Sequence, residues 1–320
     1  MNNSKYCIGV DLGGTNIAIG LVDLETKDIV KKQSIKTNAP RDPESIVSDI
    51  KEVCLTLCHA QGISLCDVMW IGIATPGIVK DGEVIVAFNL GWEKVLLGDI
   101  AREIVGIPSY IANDANAAAY AEAIWGAGKD KKSLIAFTIG TGVGGGIVVD
   151  GKIWEGINGF AAELGHMVLE PNGRFCACGK RGCIEAYCSA TALINDTKRH
   201  LAMHPESMMW QDICGDVSRV NGKTVFDAMK RGDKTAKLVF DEFIGYLAHG
   251  VSNVINIFQP DVVCIGGGIS REGEVLIAPL REQIIKKSFG FENSRTEIVA
   301  ATFKNDAGII GAALLGLQNN

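Results

Sequence analysis

Tyr6-Cys-Ile-Gly-Val-Asp11-Leu-Gly13-Gly14-Thr15-Asn16-Ile-Ala-Ile-Gly-Leu-Val22 is an apolar run, a glycine turn and a second apolar run, which reads as strand, turn, strand. Gly13 and Gly14 let backbone amides approach an anion closely. Thr15 adds a hydroxyl donor, and Asp11 adds a carboxylate able to hold a hydrated Mg²⁺. A Gly-Gly hairpin is more often only a turn, so the weight falls on its recurrence. Roughly 130 residues later, Ser133 to Ile139 runs into Gly140-Thr141-Gly142-Val143-Gly144-Gly145-Gly146 and returns through Ile147 to Val149. Two copies of one unit would set two phosphate-cradling hairpins on opposite walls of a cleft. Gly140, Gly142 and Gly145 also satisfy G-x-G-x-x-G, but they open into a strand and the Asp150-Gly151 turn, not a helix, which excludes a dinucleotide fold. No G-x-x-x-x-G-K-[ST] loop occurs.

The 320 residues, 47% of them hydrophobic and 38 of them glycine, suffice for two domains and suit a soluble α/β enzyme. A net charge of −6 without a basic run argues against nucleic acid as a partner. The first apolar stretch is too short for a signal peptide, and no window holds the apolar run a membrane helix needs, so a cytoplasmic protein is expected.

Asp42-Pro43-Glu44 predicts a helix start, and Ile46, Val47, Ile50, Val53, Cys54 and Leu57 recur at helical spacing until Gly62. Strands are expected at Met69–Ala74, before Thr75-Pro76-Gly77, and at Val84–Phe88, before Asn89. A helix over 95–104 and a strand over Ser109–Ala112 follow. That strand delivers Asn113-Asp114-Ala115-Asn116 and an alanine-rich helix. There Asp114 is either a helix cap or a carboxylate at the mouth where α/β folds bind ligands. Thr224-Val-Phe-Asp227 has the form of a capping box. A long helix over 234–258 stops before Pro260, and a strand over Asp261–Ile265 opens into Gly266-Gly267-Gly268, either a close backbone approach to a base or ribose or an ordinary turn. A helix over 274–289, a strand near Glu297–Ala301 and a helix over Ala307–Leu317 complete the chain.

Glu163 to Glu185 holds His166, Cys176, Cys178 and Cys183 in a glycine-rich segment. Three thiolates and an imidazole form a closed tetrahedral set that suits structural zinc, with a redox or merely buried cysteine cluster as the alternative. Glu163 and Glu185 are left over for a ligand. The other seven of the ten cysteines lie in apolar segments and read as core in a reducing compartment.

Asp11-Leu-Gly-Gly-Thr15, Asn113-Asp114, Gly140–Gly146, Glu163-Leu-Gly-His166, Cys176-x-Cys-Gly-x-x-Gly-Cys-x-Glu185 and Gly266–Gly268 occur in an order that resembles ROK-family sugar kinases across essentially the whole chain. The resemblance implies the two-domain actin/hexokinase/Hsp70-like ATPase fold, built from duplicated ribonuclease H-like units around a cleft. It suggests a small domain of 1–118 plus 307–320 and a large one of 119–306. It implies ATP-dependent phosphorylation of a hexose 6-hydroxyl, glucose first, with N-acetylmannosamine, allose, mannose or fructose as alternatives. Asp114 matches the catalytic base; Gly77, Asn89, Asn113, Glu163, His166 and Glu185 match sugar contacts. Asp11, Gly13, Gly14, Thr15, Gly140, Thr141, Gly142 and Gly144 would hold phosphates and Mg²⁺, Gly266–Gly268 the adenosine, and the Cys/His set a structural Zn²⁺. A homodimer or homotetramer is usual in the family. Some members are sugar-responsive repressors with a DNA-binding domain ahead of the first hairpin; Asp11 comes too early for one here.

Overall fold

The computed structural model describes residues 5–290 and 295–318, so the outermost residues of the expected domain ranges lie outside it. Strand β1 (Tyr6–Leu12) turns at the glycine pair into antiparallel β2 (Asn16–Asp23), and β3 (Asp28–Lys36) pairs antiparallel with β2. Helix α1 (Pro43–Gln61) begins as its sequence dictates. Asp42 accepts the Ser45 N–H at 2.8 Å, and Pro43 sits in the first turn, where a missing N–H costs nothing. Gly62 ends it at φ 75°. Its apolar stripe joins Ile17, Ile19 and Leu21 of β2 in one core.

The chain continues through β4 (Val68–Thr75), β5 (Ile78–Lys80), β6 (Glu83–Ala87), β7 (Trp92–Val95), α2 (Leu97–Val105), β8 (Ser109–Asn113) and α3 (Asp114–Ile124). After α3 come β9 (Ser133–Ile139), β10 (Val143–Val149) and β11 (Lys152–Ile153). Then follow helices α4 (Glu185–Cys188), α5 (Ala190–Met203), α6 (Met209–Asp212), α7 (Thr224–Lys230) and α8 (Lys234–Phe258). The last elements are β12 (Val262–Gly267), α9 (Glu274–Lys287), β13 (Glu297–Ala300) and α10 (Ala307–Leu314).

One sheet runs β3-β2-β1-β4-β8 and another β11-β10-β9-β12-β13, while β5, β6 and β7 form a small antiparallel sheet. Numbered within itself, each five-stranded sheet reads 3-2-1-4-5, the duplication that the paired glycine hairpins predict. The chain divides into two compact units, one of Met1–Leu134, Gly146–Ala162 and Asn305–Asn320, the other of Ile135–Gly145 and Glu163–Lys304.

In the first unit α10 rests directly on backbone. A Cβ on Gly9 would overlap the Ile309 carbonyl, one on Gly72 the Ala312 carbonyl, and one on Gly311 the Ala117 carbonyl of α3. Among the described residues no helix is long and apolar enough to cross a membrane.

Three expectations are corrected. Thr224 is the first helical residue of α7, not its cap; its Oγ1 accepts the Asn221 N–H at 3.1 Å. Cys66 and Cys214 are exposed, whereas Cys7, Cys54, Cys58, Cys188 and Cys264 are core. Cys66 sits in a single 3-10 turn (Leu65–Asp67) before β4, and Cys214 lies just past α6 at φ 53°. The terminal helix ends at Leu314 and tightens to a 3-10 turn over Leu315–Gln318.

Candidate active site

The first unit carries the Asp11 hairpin and Asp114. Gly13 N–H closes the turn on the Asn16 carbonyl at 3.0 Å. Thr37 clamps it from β3's end: its N–H donates to the Thr15 carbonyl at 3.0 Å and its hydroxyl to the Gly13 carbonyl at 2.6 Å. A Cβ on Gly14 would come 3.2 Å from the Asn89 Cβ, so Asn89 packs against the hairpin. Thr15 stays exposed. The Asp11 side chain lies against the first turn of α10, where a Cβ on Gly308 would stand 2.5 Å from Asp11 Oδ2.

Burial, and then the charge of Asp114, push the Asp11 carboxyl up to about 6. Two carboxylates in one field make a hard, oxygen-rich environment that a divalent cation such as Mg²⁺ fits. Asn113, not Asp114, caps α3: its Oδ1 accepts the Ala115 N–H at 2.9 Å and the Asn116 N–H at 3.1 Å. Asn113 Nδ2 donates to the Gly77 carbonyl at 2.9 Å, which joins those two residues. Gly77 sits at φ 96° with no room for a Cβ beside the Val86 carbonyl. Asn113 takes the cap, while the exposed Asp114 side chain at the head of α3 accepts the Ala115 N–H on Oδ1 at 2.8 Å.

The second unit carries the Gly140 loop, the Cys/His set and the third glycine run. Gly140 N–H donates to the Gly142 carbonyl at 2.9 Å, and the Thr191 hydroxyl to the Thr141 carbonyl at 2.8 Å. Gly144 lies within β10, one residue past Val143. Glu185, the first residue of α4, ties the loop to the cysteines. Its Oε2 accepts the Val143 N–H at 3.0 Å and its Oε1 the Cys176 thiol at 3.4 Å. A Cβ on Gly142 would overlap Glu185 Oε2. Gly267, at φ 83°, leaves no room for a Cβ beside the Ile139 carbonyl, so Gly266–Gly268 adjoins the strand that feeds the loop.

The donor atoms of His166, Cys176, Cys178 and Cys183 all lie within 4.8 Å of one another. Cys178 and Cys183 are 3.8 Å apart, close to the edge of about 3.8 Å that zinc–sulfur bonds of ~2.3 Å give a tetrahedron. The same gap excludes a disulfide, which needs about 2.05 Å. The set therefore fits one tetrahedral ion. His166 Nδ1 lies 3.8 Å from Cys176 Sγ, on the side of the cysteines, and Nε2 lies 3.9 Å from Glu163 Oε2, on the other.

Thr37 and Gly308 escaped the sequence reading. A lone threonine after a lysine-rich segment carries no signal. A glycine in a helix's opening turn was a visible clue, because helices disfavour it unless something needs the space.

The chain is 38% identical to a glucokinase of Thermotoga maritima over 96% of this chain and 95% of that one. It is 30% identical to a xylose repressor of Caldicellulosiruptor bescii, over 98% of this chain and 78% of the repressor. A crystal structure of a ROK family glucokinase from Streptomyces griseus, in complex with glucose and AMPPNP, superposes with a TM-score of 0.82 at 35% identity, covering 98% of this chain and 99% of that one. The two-unit α/β fold described above is thus that of ROK kinases. The ROK family profile extends over residues 7–319, and with duplicated sheets, paired hairpins and a Cys/His set in the family's order, the chain belongs to the ROK family.

Proposed function

We propose that this protein is an ATP-dependent hexose 6-kinase, with glucose as its preferred sugar. The observation that carries the reading is Asp114. It stands at the head of α3 with its neighbour Asn113 taking over the cap, and near enough to Asp11 to raise that carboxyl. A carboxylate at the head of a helix, one oxygen of which accepts the Ala115 N–H, can serve as a base. Asp114 takes the proton from the sugar's 6-hydroxyl as that oxygen attacks the γ-phosphorus; the new O–P bond forms while the bond to the β-phosphate oxygen breaks and ADP leaves.

Glu163, His166, Glu185, Asn113, Gly77 and Asn89 orient the sugar. The Gly13–Thr15 and Gly140–Gly144 hairpins meet phosphate oxygens through the backbone amides that their own turns do not use, and Gly266–Gly268 meets the adenosine. Preorganised donors of this kind supply most of the catalysis in phosphoryl transfer. Asp11 holds Mg²⁺, which offsets phosphate charge when bound. His166, Cys176, Cys178 and Cys183 hold a structural Zn²⁺, whose chemistry is to fix the loop, leaving His166 Nε2 for a sugar hydroxyl. The similarity to glucokinases favours glucose over N-acetylmannosamine, allose, mannose or fructose. Unpaired cysteines suit the cytoplasm, and a homodimer or homotetramer is the expected assembly.

A coupled ADP-release assay over hexoses and N-acetylhexosamines tests this. The highest kcat/KM is expected for glucose. ATP turnover that no sugar stimulates would refute the kinase reading and leave a sugar-sensing regulator.

A further inference from the structure

We propose that Lys36 is a phosphate-binding residue of the nucleotide site, a cation held at the flank of the Asp11 hairpin. The inference rests on the kinase reading only for the identity of the ligand; its own ground is the register of the first sheet. β1 pairs Asp11 with Ala18, and β3 pairs Ser34 with Ala18 and Lys36 with Asn16. Cross-strand partners project from the same side and every second residue returns to it, so Asp11, Asn16 and Lys36 share one face. It is the face α10 covers: Asp11 lies against Gly308, and Lys32, two further along β3's alternation, reaches Asp306 at 2.9 Å.

Lys36 is positioned at three points. Its Nζ donates to Asn16 Oδ1 at 2.9 Å, and the next residue, Thr37, donates to the Thr15 and Gly13 carbonyls. Its charge is treated differently from that of Lys32. Lys32 is neutralised by Asp306, whereas Lys36 has an amide oxygen and no carboxylate partner among the described residues. A neutral tether aims an ammonium without spending its charge. Beside it the hairpin offers amides and a hydroxyl, together with the acids Asp11 and Asp114, to a ligand that is itself polyanionic. An unspent cation at that point is the complement such a ligand requires.

The test measures binding of AMPPNP, ADP and adenosine to the full-length protein by calorimetry. Lys36→Gln should weaken AMPPNP and ADP by about ten- to a hundredfold, the range expected for losing one charged hydrogen bond. Adenosine binding should change less than about twofold, and Lys36→Arg should restore most of the AMPPNP affinity. Lys31→Gln removes the same charge from the opposite face of β3, where Lys31 pairs with Leu21, and should leave AMPPNP binding within about twofold.

AMPPNP affinity unchanged in Lys36→Gln overturns the proposal. So does an equal loss in Lys31→Gln, which would make the effect a general field, or an equal loss for adenosine, which would make it a distortion. Wild-type protein that binds AMPPNP but phosphorylates no sugar refutes the kinase reading alone. Wild-type protein that binds no nucleotide refutes both.

Discussion

Replacing Asp11 by asparagine should make the ligand-free protein more stable at pH 8 while abolishing its activity. Burial and the Asp114 charge hold the folded-state carboxyl near pKa 6, against 3.8 in the unfolded chain. Between those values the folded state keeps a proton that the unfolded state has lost, so stability falls as pH rises through this window and stays low above it. The difference of about 2 pKa units corresponds to roughly 3 kcal/mol at most. Asparagine has nearly the same shape and no charge, so the variant avoids that cost. Urea unfolding of both proteins without nucleotide, at pH 8 and pH 4, measures it. We expect the variant to gain on the order of 2 kcal/mol at pH 8 and well under ~1 kcal/mol at pH 4, where the folded carboxyl is neutral and the unfolded one is only partly ionised. A variant less stable than wild type at pH 8, or a difference independent of pH, would refute the idea that Asp11 is held at an electrostatic cost for the sake of its ligand.

Asp114→Asn should keep glucose affinity but lower kcat by about a thousandfold or more, since the proton acceptor is gone; rapid-quench turnover near the wild-type rate would remove Asp114 as base. Gly142→Ala forces a Cβ onto Glu185 Oε2 and should raise the glucose KM about tenfold or more with little change in melting temperature. An unchanged KM would mean that the Glu185 carboxylate does not need its bond to Val143. Cys178→Ala should lose bound zinc, read by elemental analysis, and sugar affinity together; full sugar affinity in metal-free protein would separate the loop's shape from the ion.

The hairpins were legible because a glycine turn between two apolar runs has few other solutions, and α1 because its cap, proline and terminal glycine agree with its stripe. The Cys/His set was legible from donor type and spacing. β3 was not: as the sheet's edge strand it carries Lys31, Lys32 and Lys36 on both faces, which protects the edge but erases the alternation that marks a strand. The cap of α3 was ambiguous because Asn and Asp both cap well. Register decides it, since Asn113 ends β8 opposite Thr75 and so arrives first at the turn. The bond from Val143 to Glu185 spans 42 positions and comes from folding, which no local pattern announces.

The bare backbone contacts of α10 have a consequence for the acid pair. Asp11 hangs from β1 and Asp114 from α3, and α10 touches both elements with no side chain as cushion. Their separation is therefore a gauge length machined into the main chain. Repacking apolar side chains nearby bears on it little, and a bound ligand meets a stiff jaw; changes at Gly9, Gly308 or Gly311 would alter the setting.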